Sequence, residues 1–120
     1  MNTFEVKEPI LISTLIETVR LGHEFDDDLC LYSSDAADRI RADLVCYLDD
    51  YPDVVNDKDH YSTFVTTNNL HLLYYGEQFK DVMINALTQK PQASIGEIIE
   101  ALNYYMENDD FLDHKLTPSA

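Results

Sequence analysis

Basic residues are scarce in this chain. Its 120 residues include 8 Lys and Arg against 23 Asp and Glu, which gives a formal net charge of −15. Nucleic acids and anionic membranes are bound through basic patches, so the shortage argues against direct binding to either. The acidic surplus instead favours a basic protein as partner. It is also uneven, because residues 24–59 hold 12 acids and only three bases.

Cysteine, glycine and long apolar runs are also few. Cys30 and Cys46 are too few for a disulfide framework and lack the spacing of metal ligands, so we expect two packed, reduced thiols. Three glycines and four prolines in a chain that is 45% hydrophobic argue against disorder. The apolar stretch 9–21 is interrupted by polar residues, and neither a signal peptide nor a membrane span is evident. We therefore expect a cytoplasmic protein.

Three helices are predicted. Residues 9–21 form the first, with Pro9 at its first position and Gly22 just past its end. Residues 77–89 form the second, which ends before a proline. The third begins with the S-x-x-E capping box of Ser94 and Glu97. The core of the last two helices is expected to include Phe79, Met83, Ile95, Ile98, Ile99 and Leu102.

The middle of the chain favours β-structure. Residues 29–33 and 44–48 are predicted strands, and 70–75 is either a third strand or the first turns of the second helix. A short helix capped by Ser33 or Ser34 is a further possibility for "SSDAADRIRA".

Together these elements predict one α+β domain over residues 1–120. A small β-sheet packs against three main helices, and the last two helices form a C-terminal antiparallel hairpin. The tails, residues 1–8 and 115–120, are expected to be loosely ordered.

No pattern typical of an enzyme or cofactor site is evident. "DKDHYS", from Asp57, resembles the start of a calcium loop but lacks its sixth-position glycine and twelfth-position glutamate. The acidic triplet 26–28 is interpreted as a solvated turn rather than a metal site. The four histidines are His23, His60, His71 and His114. No two of them have the spacing of metal ligands. We expect no catalysis, no cofactor and no metal.

The end of the third helix, "NYYMENDDF" from residue 103, carries acids where the helix dipole favours bases. Counting 100° per residue, Tyr104 lies on the helix face of the neighbouring glutamates and opposite the apolar face. A tyrosine ringed by acids is typical of an interface anchor, although a covering loop or strand edge would explain it equally well. A local explanation for the acids is that Asn108 takes a left-handed cap and ends the helix. The candidate partner-binding residues are Tyr104, Glu97, Glu100, Glu107, Asp109, Asp110, Asp26, Asp27 and Asp28.

Two segments, "FKDVMINALTQKP" (79–91) and "IIEALNYYMENDDFLD" (98–113), carry a resemblance to a known family. They are similar to the C-terminal half of small acidic bacterial immunity proteins, which are encoded beside polymorphic toxins such as those of contact-dependent growth inhibition. The resemblance implies a protein that binds one cognate toxin domain 1:1 in the cytoplasm. Such a toxin is often a nuclease, for instance an RNase, and the acidic inhibitor would occlude its basic surface.

Two other functions remain open on the sequence. One is an acidic mimic of nucleic acid, or an adaptor, that binds another basic protein. The other is an enzyme or metal-binding protein whose site is assembled from dispersed residues.

Overall fold

A computed structural model describes residues 5–34 and 39–113, and within them it contains four helices and two antiparallel sheets. In chain order the elements are β1 (Ile10–Leu11), α1 (Ile12–Arg20), β2 (Leu29–Ser33), β3 (Val45–Asp50), β4 (Asp53–Val55), β5 (Lys58–His60), α2 (Thr63–Thr67), β6 (His71–Tyr74), α3 (Gly76–Gln89) and α4 (Ile95–Asn108). The predicted α+β class, with three main helices and a C-terminal helix pair, is confirmed.

The main sheet has the strand order β1-β3-β2-β6, and every pairing in it is antiparallel. All five residues of β2 are buried, since this strand has a covered layer on both faces. Leu29 and Leu31 belong to one core cluster, whereas Cys30 and Tyr32 belong to a second cluster on the other face. This alternation is the period of two expected for a strand.

The larger cluster lies where α1, α3 and α4 pack against the sheet. Leu15 and Ile16 of α1, Phe79 of α3 and Ile98 and Leu102 of α4 are fully buried there. The smaller cluster covers the opposite face and includes Val65 of α2 and several half-buried aromatic rings. Of the predicted core residues, Ile95 and Ile99 pack against this cluster but are only partly buried.

The prediction for the first helix is wrong at its start. Residues Ile10 and Leu11 pair with Cys46 and Val45 of β3, so Pro9 precedes a short strand instead of opening the helix. The predicted end is correct, because Gly22 has a positive φ of 98° just after the helix.

Strand β3 is longer than predicted and reaches Asp50, while residues 70–75 do contain a strand, β6. Ser33 belongs to β2 rather than to a helix cap, and residues 35–38 of the proposed short helix lie outside the described residues. The tail residues 1–4 and 114–120 also lie outside them. In the remaining part of the N-terminal tail, the Lys7 N–H donates to the Leu48 carbonyl at 2.8 Å.

The helix pair begins and ends as its sequence signals indicate. Lys90, just before Pro91, is extended and terminates α3. The capping box of α4 is present, with reciprocal hydrogen bonds of 3.1 Å between Ser94 and Glu97. Its C-cap differs from the prediction: Asp109, not Asn108, adopts the left-handed conformation with φ 52°. In the described part of the chain, no helix is long and apolar enough to cross a membrane.

Candidate partner-binding surfaces

Three partly exposed tyrosines lie at one end of the sheet, near the C-terminal end of β3 and the start of α3. We call them, with the acids around them, the tyrosine–acid surface; its members are Tyr51, Tyr61, Tyr75, Asp27, Asp59 and Glu77. The ring of Tyr51 stacks on that of Tyr75 at 5.8 Å between centroids, with 21° between planes. Its hydroxyl accepts a hydrogen bond of 2.9 Å from the Glu77 N–H. Both contacts fix the Tyr51 ring against the first turn of α3.

Burial and nearby acids act together on the tyrosines of this surface. Burial raises the pKa of Tyr51, and the charges of Glu77 and Asp27 raise it further, against the opposing effect of the hydrogen bond from Glu77. Burial also raises the pKa of Tyr61, with a second contribution from Asp59. Both hydroxyls therefore stay protonated to a higher pH than that of an ordinary tyrosine. Rigid aromatic rings with a polar tip and charges around them are typical of interface anchors.

The acidic triplet joins this surface through a close backbone approach. A Cβ on Gly76 would lie 1.7 Å from the Leu29 carbonyl oxygen and 2.9 Å from that of Asp27, so only glycine permits this packing. Asp27 pairs with Lys80 of α3 at 3.8 Å. The α3 start and the triplet are thereby held as one unit.

The triplet itself is a turn. Asp26 Oδ1 accepts from the Asp28 N–H at 3.0 Å, the local bond expected for an aspartate turn. One carboxylate oxygen from each of the three residues lies within 4.8 Å of the others, which is close enough for a cation to bridge. Two of the three carboxylates therefore have partners within the chain. Asp27 pairs with Lys80, and Asp26 accepts from the Asp28 N–H.

The predicted acidic face of α4 is a second surface, and its members differ in their roles. Glu97 is bound within the chain: its carboxylate accepts from Ser94 N–H and from the Lys90 ammonium. The Lys90 contact first, and then the Ser94 N–H, lower the pKa of Glu97 to about 2. Glu100 and Glu107 are exposed, and Tyr104 is half-buried. These last three residues remain available to a partner.

A cleft of about 490 Å³ lies beside this face and is lined by Arg39, Asn103, Met106 and Glu107. Asn103 fixes one wall, since its side-chain oxygen accepts from the Ile40 N–H at 2.6 Å and its amide donates to the Ile40 carbonyl at 3.0 Å. This paired bond ties the 39–44 segment to α4, although the two parts are 63 residues apart.

A second cleft, of about 180 Å³, lies between the start of α3 and the end of α4. Tyr75 and Gln78 line it from the α3 side, and Tyr105, Met106 and Asp109 from the α4 side. Tyr75 thus belongs to the tyrosine–acid surface and also reaches the end of α4. Of the predicted acids, Asp109 lines this cleft and is the left-handed cap, while Asp110 Oδ1 accepts from the Phe111 N–H at 2.8 Å.

The residues that carry the resemblance to immunity proteins mostly hold the helix pair together. Gln89 donates to Asn85 Oδ1 at 2.7 Å and to the Leu112 carbonyl at 3.0 Å, which anchors the chain after α4 to α3. The rings of Phe111 and Tyr105 contact at 5.3 Å. These contacts give Gln89, Phe111 and Tyr105 structural roles within the helix pair.

A family model for a domain of unknown function, DUF7716, matches residues 11–114. The chain belongs to the DUF7716 family. No curated protein and no solved structure matches it. The matched range begins at β1 and extends past α4, so the DUF7716 domain includes the tyrosine–acid surface as well as the helix pair.

The sequence did not indicate several of these residues in the DUF7716 domain. Tyr51, Tyr61 and Tyr75 are 10 to 24 positions apart and meet only because β3, the segment before α2 and the α3 start share one end of the sheet. Asn103 is the first residue of "NYYMENDDF", but nothing in the spacing of the sequence identifies Ile40 as its partner. Three histidines fall in the described residues, and His23, His60 and His71 are each exposed on a different part of the chain.

Proposed function

We propose that this DUF7716 domain is an immunity-type inhibitor that binds a basic toxin domain, a nuclease such as an RNase, in the cytoplasm of the cell that makes it. The observation that carries the proposal is the charge surplus set around partly exposed tyrosines. With 23 acids and 8 bases, at least 15 carboxylates have no cation of their own (23 − 8).

The described ion pairs strengthen the charge argument, because several of the few cations are already occupied. Lys7, Arg20, Arg41, Lys80 and Lys90 each pair with a carboxylate of the same chain. An unpaired acidic surplus repels nucleic acid and attracts a basic protein at long range. A nuclease must hold phosphates in a basic groove, so an acidic protein that covers the groove competes directly with the substrate.

Inhibition on this basis needs no catalysis, cofactor or metal. Acids distributed around the surface steer the partner toward the complex, and the tyrosines, once desolvated, hold it there. Charge at the rim therefore sets the association rate, whereas the aromatic anchors set the dissociation rate. The resemblance of residues 79–113 to immunity proteins supplies the class of partner.

The test is binding to the purified product of the adjacent toxin gene, measured as surface kinetics at two salt concentrations, with rescue from toxicity scored in cells. We expect 1:1 binding, with an association rate constant well above the ~10⁵–10⁶ M⁻¹s⁻¹ of uncharged pairs and falling steeply with salt. Absence of binding and of rescue would refute the immunity function. Salt-independent association would refute its electrostatic part.

Two sets of variants separate the contributions. Changing Asp26, Asp27 and Asp28 together to Asn should slow association with little effect on dissociation. The matched control removes three exposed acids elsewhere, by the changes Glu5→Gln, Glu8→Gln and Asp81→Asn. If the triplet variant associates more slowly than this control, the acids that accelerate association are those of the triplet.

Tyr104 is tested by Tyr104→Ala with Tyr104→Phe as control. We expect the alanine variant to dissociate ~30-fold faster, corresponding to an anchor worth ~2 kcal/mol, and the phenylalanine variant to retain the ring contact. Unchanged dissociation for both variants would assign the anchor role to the tyrosine–acid surface instead, where Tyr75→Ala is the equivalent test.

A further inference from the structure

The β4–β5 hairpin, residues 53–60 and hereafter the arm, is exposed on both of its faces. Every strand residue of the arm is exposed, and Val54 and Val55 are 70% and 47% exposed. Successive residues of a strand point to opposite faces. Two neighbouring exposed valines therefore mean that neither face of the arm is covered by the described residues.

The arm has the local chemistry of a formed hairpin despite this exposure. Asn56 and Asp57 have φ of 52° and 63°, the conformation of a two-residue type I′ turn, and Asn and Asp tolerate it well. The strands are in register, with Asp53 opposite His60 and Val55 opposite Lys58. A two-stranded hairpin alone is marginally stable in water, so burial of its valines by another surface would stabilise it.

The base of the arm is fixed to the body by the tyrosine–acid surface. On one side Tyr51 stacks on Tyr75 and accepts from Glu77. On the other side the ring of Tyr61 meets that of Tyr32 edge-on at 6.1 Å. The arm is thus a separate two-stranded sheet held at its root, which is a suitable shape for insertion into a partner.

Charge identifies the chemistry of that partner. The arm carries Asp53, Asp57 and Asp59 against Lys58 alone, and the exposed Asp50 precedes it. A partner surface that covers the arm must therefore be basic where it meets the acids and apolar where it meets the valines. Because a valine lies on each face, only a groove with two walls covers both.

We propose that the arm inserts into a basic, partly apolar groove of the protein partner. This inference rests on the proposed function for the nature of the partner, and it assigns the inserted element. Its valines contact the groove floor and walls, while its three aspartates pair with Lys and Arg at the rim. The tyrosines at the root then cover the groove entrance.

The first test removes the arm. Asp53 and His60 form the last pair of the arm, so we replace residues 53–60 by an Asn-Gly turn between Pro52 and Tyr61. The probe is the product of the adjacent toxin gene, with the full-length DUF7716 protein as reference. We expect at least 100-fold weaker binding by the armless protein and a melting temperature close to that of the wild type.

Point variants provide the test that does not depend on the armless protein folding. Val54→Ser with Val55→Ser should raise the dissociation rate tenfold or more. The control is Val45→Ser, a 40%-exposed valine at the opposite end of β3, which should leave the rate unchanged. Asp53→Asn, Asp57→Asn and Asp59→Asn together should lower the association rate and its salt dependence.

The outcomes distinguish the two proposals. Wild-type binding that survives both arm removal and the double serine change overturns the arm inference and leaves the inhibitor function standing. A wild-type protein that does not bind refutes the function and the inference together. If the armless protein is unfolded, the double serine variant decides: retention of wild-type kinetics overturns the inference, and faster dissociation with an unchanged Val45→Ser control supports it.

Discussion

The start of α3 offers the sharpest test of the fold, through the change Gly76→Ala. In an ordinary helical position this change stabilises a protein by up to about 1 kcal/mol. Here the added Cβ would stand 1.7 Å from the Leu29 carbonyl oxygen, so β2 and α3 must separate by roughly 1.5 Å to restore normal contact. Because backbone and not a flexible side chain is in the way, we expect a loss of about 3 kcal/mol.

The other two glycines provide controls for this prediction. A Cβ on Gly96 meets only Ser94 Oγ at 3.8 Å, so Gly96→Ala should be neutral or stabilising. Gly22 has open space but a φ of 98°, so Gly22→Ala should lose about 1–2 kcal/mol from backbone strain alone. The three variants thus separate helix propensity, strain and steric overlap.

Urea unfolding of each variant measures these free energies, with the slope of the transition as a check that cooperativity is unchanged. The expected order of stability is Gly96→Ala, then Gly22→Ala, then Gly76→Ala. A Gly76→Ala protein as stable as the wild type would refute the close packing of α3 on residues 27–29. The ion pair of Asp27 with Lys80 and the attachment of the acidic triplet would then lose their structural basis.

Further predictions follow from the helix pair. Ile98→Ala should lower the unfolding free energy by ~2–5 kcal/mol, and the partly buried Ile99 less, as measured by urea unfolding; equal losses would contradict the helix facing. Asn103→Ala should lower the unfolding free energy by ~1–3 kcal/mol, because the N–H and carbonyl of Ile40 lose their partner. A loss within experimental error would contradict the paired hydrogen bond between Asn103 and Ile40. Glu97 should stay ionised until about pH 2, so its stabilisation is complete above pH 4.5 and lost as pH falls from 4.5 to about 2. Carboxyl NMR titration checks this value, and Lys90→Met should raise it.

The helix pair is the part of the fold that the sequence predicts best. The capping box of Ser94 and Glu97, Pro91 and the apolar periodicity are local signals, and each has its expected structural role. The short strand β1 gave no such signal, since two residues have no periodicity and their pairing partners are 36 and 34 positions away. Asp57, the first residue of the stretch that resembles the start of a calcium loop, lies in the two-residue turn of the β4–β5 hairpin.

The candidate site is less accessible to sequence reasoning than the fold. The acids at 26–28 and on α4 were identifiable by composition, but which of them are bound within the chain depends on contacts, as Glu97 demonstrates. The tyrosine–acid surface is assembled from four separate segments of the chain. The periodicity of one segment does not indicate that the other three lie beside it.

The burial of the two cysteines turns them into reporters of separate layers. Burial raises the pKa of Cys46 to about 12 and also raises that of Cys30, so neither thiol reacts with an alkylating agent until the chain around it opens. Cys46 belongs to the cluster under the helices and Cys30 to the cluster beneath the tyrosines. The alkylation rates of the two thiols therefore report separately on how fast each side of the sheet opens. A partner that binds to the tyrosine–acid surface should slow the alkylation of Cys30 more than that of Cys46, and the experiment needs no engineered probe.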